Sequence, residues 1–443
     1  MTKKSHQITR RNVLKYTAGA GLFIVSSSVI GRGAEPPSDR LDIGIIGAGG
    51  RGGHNVKQFG KQNIIALCDV DQNQAADSFK RYEKQPKYTD FRRMLDKHQE
   101  LDAVVVSTPD HTHAVVAMNA IKRGLHVYVE KPLAHTIHEV RALRKAAQEN
   151  KVITQLGNQG HSYDDMRQIR EWIDDGAIGQ VTEVQAWYRQ PYGNGQPLPD
   201  SRPPVPETLD WQQWLGPVAE RPYHSEYLPG KWRSWSAFGT GVLGDWVCHI
   251  LDPSVWALEL EAPVSIQAKN GNNDYSPERF PVQSEITYEF AARGDKPPVK
   301  VTWTYGKELN LPQLKNVELD DWNQKAGALI IGDKGCILHG SHGGGGAKLL
   351  PESLRKEYKD PPQKYPRVEG GHHEEWLRAC KSGEQAGSNF EYGGPLSELA
   401  LLGVIATIYD EEKLKWDREK CVFTNHKKAN QHLEIEYRPG WKL

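Results

Sequence analysis

The chain has 443 residues, enough for two ordinary domains with sizeable cores. Lys+Arg and Asp+Glu both number 56, so the formal net charge is zero; there is no electrostatic footprint for nucleic acid and no basic helix to mark a membrane surface. With 25% charged and 38% hydrophobic residues, the composition excludes a disordered or collagenous chain, and Cys68, Cys248, Cys336, Cys380 and Cys421, odd in number and without CxxC spacing, read as buried thiols and not as a disulfide framework or zinc site.

Residues Met1–Gly33 form a targeting segment and are set aside from the fold. A basic stretch (Lys3, Lys4, Arg10, Arg11, Lys15) precedes the apolar run Tyr16–Ile30, and Thr9–Lys15 is similar to a twin-arginine export signal. The run is short and weakly apolar against the roughly 20 residues of a membrane span. The expectation is an exported, periplasmic protein with no stable span after signal removal; an ordinary secretory signal or an uncleaved anchor is the alternative. Residues 34–40, with Pro36 and Pro37, are a linker.

From Leu41 strands and helices alternate, the pattern of a parallel sheet covered on both faces. Asp42–Gly47 is a short apolar strand, His54–Phe59 opens a helix, Ile64–Asp69 is a second strand, and Ala75–Arg81 has helical composition. Asp102–Ser107 is a buried strand, His113–Arg123 a helix stopped by Gly124, His126–Val129 a strand, Ile137–Glu149 a long helix and Val152–Leu156 a strand. These units predict an α/β Rossmann domain over residues 41–160. Beyond Tyr163 the character changes. Met166–Asp174 is helical, Val181–Tyr188 alternates like a half-exposed strand, and a Pro/Gly/aromatic loop runs from Gln190 to Trp235. Strands at Ser265–Ala268, Glu285–Phe290, Val299–Tyr305, Ala328–Ile331 and Cys336–His339, with helices near His373–Lys381 and Leu396–Ile408, predict an α+β domain over 161–443 built on a large, mostly antiparallel open sheet.

Gly47-Ala48-Gly49-Gly50-Arg51-Gly52 fits G-x-G-x-x-G after an apolar strand and before a helix. The first glycine permits the tight turn, the second lets a pyrophosphate approach the backbone, and the third lets the helix pack on the strand. The helix N-terminus then offers free N–H groups to phosphate. Asp69 ends the next strand 22 residues after Gly47, placed to accept from both ribose hydroxyls and to repel a 2′-phosphate, which favours NAD over NADP. Twin-arginine signals typically carry proteins already folded around a cofactor, so the nucleotide is expected to be tightly held.

Further motifs follow the fingerprint. Glu130-Lys131-Pro132 ends a strand, Ser107-Thr108-Pro109-Asp110-His111-Thr112-His113 follows a buried one, and Gly157-Asn158-Gln159-Gly160-His161 lies at the domain crossover. The stretch from Gly239 to His249 contains Asp245-x-x-x-His249. On these residues the chain resembles the glucose-fructose oxidoreductase/inositol dehydrogenase/MocA family over essentially the whole mature length. The resemblance implies an NAD-dependent oxidoreductase with Lys131 beside the nicotinamide and Asp245 and His249 facing that lysine and the substrate hydroxyls. It implies no metal.

The chemistry suits the residues. Oxidising a carbinol needs a hydride acceptor and a group that takes the hydroxyl proton. Lys131 lies where strand ends meet the sheet crevice, and Pro132 holds its backbone extended. Asp245 and His249, four apart, share one face of a helix. His249 is assigned as proton acceptor and Asp245 as orienting substrate or polarising Lys131; the residue types leave the roles of Lys131 and His249 exchangeable. Thr108, Pro109, His111, His113, Glu130, Asn158 and Gln159 are expected cofactor contacts, with Gly47, Gly49, Gly50, Arg51, Gly52 and Asp69. His111 and His113 equally suit helix capping.

Seven of the 13 tryptophans fall between Trp187 and Trp256. Aromatic faces pack on pyranose C–H faces, so Trp232, Arg233 and Trp235 are expected substrate contacts with His161, Lys131, Asp245 and His249; the same tryptophans also suit a domain core or a subunit interface. The expected partner is a small sugar, polyol or glycoside, with a homodimer or homotetramer formed through the C-terminal sheet. Glycine-rich Gly343–Gly346 beside His342 suits a lid or an interface loop. Three functional readings remain: a carbinol dehydrogenase, an NAD-dependent glycoside hydrolase working by transient oxidation and elimination, and a non-catalytic NAD-binding sensor. Lys131, Asp245 and His249 together disfavour the last.

Overall fold

The structure, a computed structural model, describes residues 39–271, 276–309, 311–317, 324–358 and 361–443. The expected export segment and most of the linker lie outside the described residues.

Short, mostly buried strands, with only the two-residue edge strand Lys87–Tyr88 half-exposed throughout, form a parallel six-stranded sheet. Its strands are β1 (Asp42–Ile46), β2 (Asn63–Cys68), β3 (Lys87–Tyr88), β4 (Ala103–Val106), β5 (His126–Val129) and β6 (Thr154–Leu156), in the order β3-β2-β1-β4-β5-β6. That order reverses direction between β1 and β4, and in such sheets the ligand crevice opens at the carboxyl ends beside this point. Five helices flank the sheet: α1 (Gly50–Gln58), α2 (Ala76–Arg81), α3 (Phe91–Lys97), α4 (Asp110–Ile121) and α5 (Ile137–Asn150). Helix α1 starts inside the glycine turn, ahead of the expected His54. Helix α5 begins with a reciprocal cap in which the Thr136 hydroxyl accepts from the Glu139 N–H and Glu139 accepts from the Thr136 N–H.

The second half contains α6 (Asp164–Asp174), β7 (Val181–Tyr188), α7 (Trp211–Leu215), α8 (Gly241–Ile250) and α9 (Asp252–Ala257). Strands β8 (Ser265–Asn270), β9 (Ser284–Phe290), β10 (Val299–Tyr305), β11 (Ala326–Gly332), β12 (Cys336–Gly340) and β13 (Lys348–Leu350) follow, then α10 (Glu352–Glu357), α11 (Gly371–Ser382), α12 (Phe390–Ile408), β14 (Lys413–Asp417) and β15 (Val422–Phe423). The nine-stranded sheet runs β13-β12-β11-β7-β10-β9-β8-β14-β15, antiparallel throughout except between β7 and β10. Alternation sets its faces: in β9, Ile286, Tyr288 and Phe290 are buried while Glu285, Thr287 and Glu289 lie half-exposed. The buried side chains meet α8 and α12 in one core.

Helices α11 and α12 pack back onto the nucleotide-binding half. Trp376 and Leu377 of α11 share a core with Phe59, Tyr128 and Ile153. A Cβ on Gly393 of α12 would come within 2.8 Å of the Leu156 side chain. Of the cysteines, Cys68, Cys248 and Cys336 are buried, whereas Cys380 and Cys421 are only half-buried; all five are free thiols.

Candidate active site

A cleft of about 540 Å³ runs from the ends of β1 and β2, past the glycine turn, to α8. Its walls at the first end are shaped by the absence of side chains. Gly47 has φ +80°, and a Cβ there would sit 2.7 Å from the Ser107 carbonyl; a Cβ on Gly49 would meet the Gln74 carbonyl at 2.7 Å. Gly50, at φ +50°, has nothing within 4 Å of its would-be Cβ, so the first turn of α1 faces open space. These are the demands of a phosphate-binding turn. Gly52 does not line the cleft; it packs against the Gly47 carbonyl and holds α1 close to β1.

Asp69 lines the cleft with its carboxylate already oriented. One oxygen accepts from the Ala48 and Gly49 amides at 2.8 and 2.9 Å, the other from Asp71 at 2.9 Å. Burial raises its pKa against the pull of these three N–H groups. A carboxylate has about four lone-pair sites, so capacity remains for ribose hydroxyls.

The middle wall is a hydrogen-bonded set. The Glu130 Oε1 accepts from Arg51 at 3.1 Å, Asn55 at 2.9 Å and Gln159 at 3.2 Å, and Gln159 also donates to the Tyr128 hydroxyl. The His113 ring lies between the Thr108 and Pro132 carbonyls, each 2.8 Å away, tying together the loops after β4 and β5. Thr108 and Pro109 line the cleft, and the buried Thr108 hydroxyl lacks a hydrogen-bond partner among the described residues. An orphaned buried hydroxyl is a cost that a bound ligand can remove. The open first turn, the oriented Asp69 and this hydroxyl together fit a dinucleotide.

At the far end Lys131 donates to Asp245, which also accepts from the Tyr192 hydroxyl and has the Arg233 Nε at 3.5 Å. Burial pushes the Asp245 pKa up, but the charges of Lys131 and Arg233 with these hydrogen bonds hold it well below the usual carboxylate range. His249 is on the same face of α8, 6% exposed, and its Nδ1 has no hydrogen-bond partner among the described residues. Burial, then the neighbouring His342 and Lys131, keep its pKa well below the ordinary imidazole value, so the ring is neutral near pH 7. The Arg233 guanidinium stacks 4.3 Å from the Trp232 ring, and both line this end.

Four expected contacts face elsewhere. His111 is fully buried between the Phe238 and Trp214 carbonyls, at 3.1 and 2.9 Å, and its pKa is pushed down to about 3 by burial; it joins α4 to the 214–238 region and does not line the cleft. Asn158 donates to Asp252 at 2.8 Å and accepts from Ser388 at 2.6 Å. His161 pairs with the same Asp252 at 3.1 Å, behind the cleft wall. Trp235 is the centre of a separate aromatic core with Trp211, Tyr227 and Phe238, and the Arg279 guanidinium stacks 3.6 Å from its ring. For Trp235 the core alternative is the correct one.

Three residues join the site unexpectedly. His342, at φ +55°, lies flat on His249 with ring centroids 4.2 Å apart, and Trp246 stands edge-on to both. The loop reaches there because Gly343 and Gly160 touch backbone to backbone, leaving no room for a Cβ on either. Tyr192 bridges Trp246, whose indole donates to its hydroxyl at 2.7 Å, and Asp245. A histidine beside a glycine run and an aromatic in a Pro-Tyr-Gly turn were the available signals for these positions.

Residues 41–158 match the oxidoreductase family model described as NAD-binding Rossmann fold, and residues 167–294 match that family's C-terminal alpha/beta domain, together more than half of the chain. Levoglucosan dehydrogenase of Pseudarthrobacter phenanthrenivorans is 23% identical over 224 residues, 48% of this chain and 50% of that protein. A glycosyl hydrolase family 109 protein of Saccharopolyspora erythraea is 29% identical over 286 residues, 56% of this chain and 55% of that protein. The chain thus spans about half the length of the curated relatives it matches. An inositol dehydrogenase homolog from Azotobacter vinelandii, solved with NADH and myo-inositol, shares the fold at TM-score 0.56 and 14% identity, over 85% of this chain and 98% of that one. The chain belongs to the glucose-fructose oxidoreductase/inositol dehydrogenase/MocA family of NAD-binding oxidoreductases.

Proposed function

We propose that the chain moves a hydride between a carbinol of a sugar, polyol or glycoside and a tightly held NAD. The observation that carries this is the cluster at the end of the cleft: a paired Lys131–Asp245 and a neutral His249 whose Nδ1 has no hydrogen-bond partner among the described residues. When bound, the dinucleotide supplies the hydride acceptor; Gly47, Gly49, Gly50, Asp69, Thr108 and Glu130 are the residues placed to hold it. Lys131, kept in place by Asp245, donates to the carbinol oxygen and stabilises charge developing there. His249 takes the hydroxyl proton, and the stacked His342 and Trp246 fix its ring plane. Arg233 offers a hydrogen-bonding fork to the sugar, backed by the buried Trp232 ring on which it stacks. Export through the Arg10-Arg11 signal and pairing of copies across the polar face of the large sheet are part of the same proposal.

The pH dependence follows from the geometry. The His249 pKa is lowered, so its neutral form persists below pH 6.5 and the acid limb of kcat should lie below that value. The groups facing it are His342, Lys131, Asp245 and Arg51. Removing one like-charge neighbour and opening the site raises the pKa, so in His342→Ala the acid limb should move to higher pH. A limb that stays put would assign the acid side to another group.

Redox-neutral cleavage of a glycoside is the second reading, supported by the match to the family 109 protein. Incubating NAD-loaded protein with aryl glycosides and with free sugars, while following NADH absorbance and released aglycone, separates the two. NADH without aglycone supports the dehydrogenase. Aglycone without net NADH supports the hydrolytic cycle, and neither signal leaves only a binding protein.

A further inference from the structure

The cleft continues past Asp69 to an aromatic end that the chemistry above does not use, lined by Phe91, Gln213, Trp214 and Trp441. Three of these come from two segments far along the chain that meet over the nucleotide-binding half. Residues 208–210 add to the end of β2: Leu209 bridges Asp71, the Gln72 N–H donates to the Thr208 carbonyl at 2.9 Å, and the Asp210 N–H donates to Val70 at 2.9 Å. The C-terminal tail then fastens onto the same segment. The Arg438 N–H donates to the Pro217 carbonyl at 3.0 Å, its Nε to Gly216 at 2.6 Å, and its Nη1 to the Gln212 side chain at 2.6 Å. Leu443 is held as well, its carbonyl accepting from Lys122, the residue after α4, at 3.0 Å.

Between these fastenings lies Trp441. Its ring packs 6.2 Å from that of Phe91 and carries the Arg92 guanidinium 4.6 Å from its centroid, while Arg92 also reaches the Gln213 side chain at 3.3 Å. The Arg438 guanidinium also lies 5.8 Å from the Trp441 centroid, and the part of the indole that lines the cleft beside buried Phe91 gives a purine base an aromatic surface to pack on. The stretches on both sides of Trp441 are pinned by the tail's hydrogen bonds.

We propose that the C-terminal tail and the 208–217 segment form a clasp over the base end of the cleft, with Trp441 slowing release of the dinucleotide. The proposal rests on the cofactor reading above, and it supplies a structural cause for tight retention. The test uses the full chain loaded with NADH and challenged with excess NAD, reading loss of bound-NADH fluorescence and the nucleotide left after gel filtration. Trp441→Ala removes the stacking face; Arg438→Gln keeps the indole and unpins the tail. Both should release NADH about tenfold faster than the wild type. Release at the wild-type rate from both variants overturns the clasp and leaves the cofactor reading intact. A wild-type chain that takes up no NADH overturns both.

Discussion

Replacing Lys131 by alanine is expected to lower kcat by about 10²- to 10⁴-fold, the range for loss of a positioned acid–base group, while NAD stays bound. The separation follows from the length of the cleft. Lys131 touches Asp245 at one end, whereas the glycine turn and Asp69 lie at the other. The fold should survive, because Asp245 keeps the Arg233 charge and the Tyr192 hydroxyl as partners and is not left as a bare buried ion. Steady-state rates and nucleotide content of the purified variant check both halves. Turnover within tenfold of the wild type would remove Lys131 from the chemistry.

Gly52→Ala is expected to abolish nucleotide retention and to cost about 1–3 kcal/mol of stability, as overpacking does. A Cβ at this position would overlap the Gly47 carbonyl and come within 2.7 Å of its carbon, both backbone atoms that cannot rotate away. Helix α1 must therefore separate from the turn, and the N–H groups at its first turn lose their aim. Gly53→Ala, one residue on, is the control: its nearest neighbours would be 3.5 and 3.6 Å away, which is ordinary contact. Exchanging an unconstrained helical glycine for alanine gains about 1 kcal/mol. Denaturant midpoints should thus move in opposite senses for the two variants, and bound NAD should be lost from Gly52→Ala alone. Equal behaviour would mean that the close approach of α1 to β1 does not matter.

The nucleotide-binding half was legible because its signals are local: a strand that must be apolar, a turn that only glycine can make, an acid at the next strand end. The Asp245/His249 pair was legible for the same reason, since spacing of four on a helix puts both on one face. What spacing does not convey is which way a motif residue points. His111 and His113 are two apart on α4, so they face opposite sides, one to the aromatic core and one to the cleft wall. Asn158 and Gln159 part in the same way. His342 was hidden because it reaches His249 through a contact between Gly343 and Gly160, which no local pattern encodes. The edge strands β13 and β15 are three and two residues long, too short to show a period, although Lys413-Leu414-Lys415-Trp416 of β14 alternates and buries Leu414 and Trp416.

Reduction of the bound nucleotide in a single turnover tests the central proposal most directly. Mixing NAD-loaded protein with a panel of sugars, polyols and glycosides should give, with at least one of them, a rise in NADH absorbance of one equivalent per chain, slowed about 10²- to 10⁴-fold in Lys131→Ala protein holding the same NAD. A rise at the wild-type rate in the Lys131→Ala protein would contradict the assignment of Lys131 to the chemistry. No rise with any carbinol, from protein shown to hold NAD, would contradict the proposed hydride transfer.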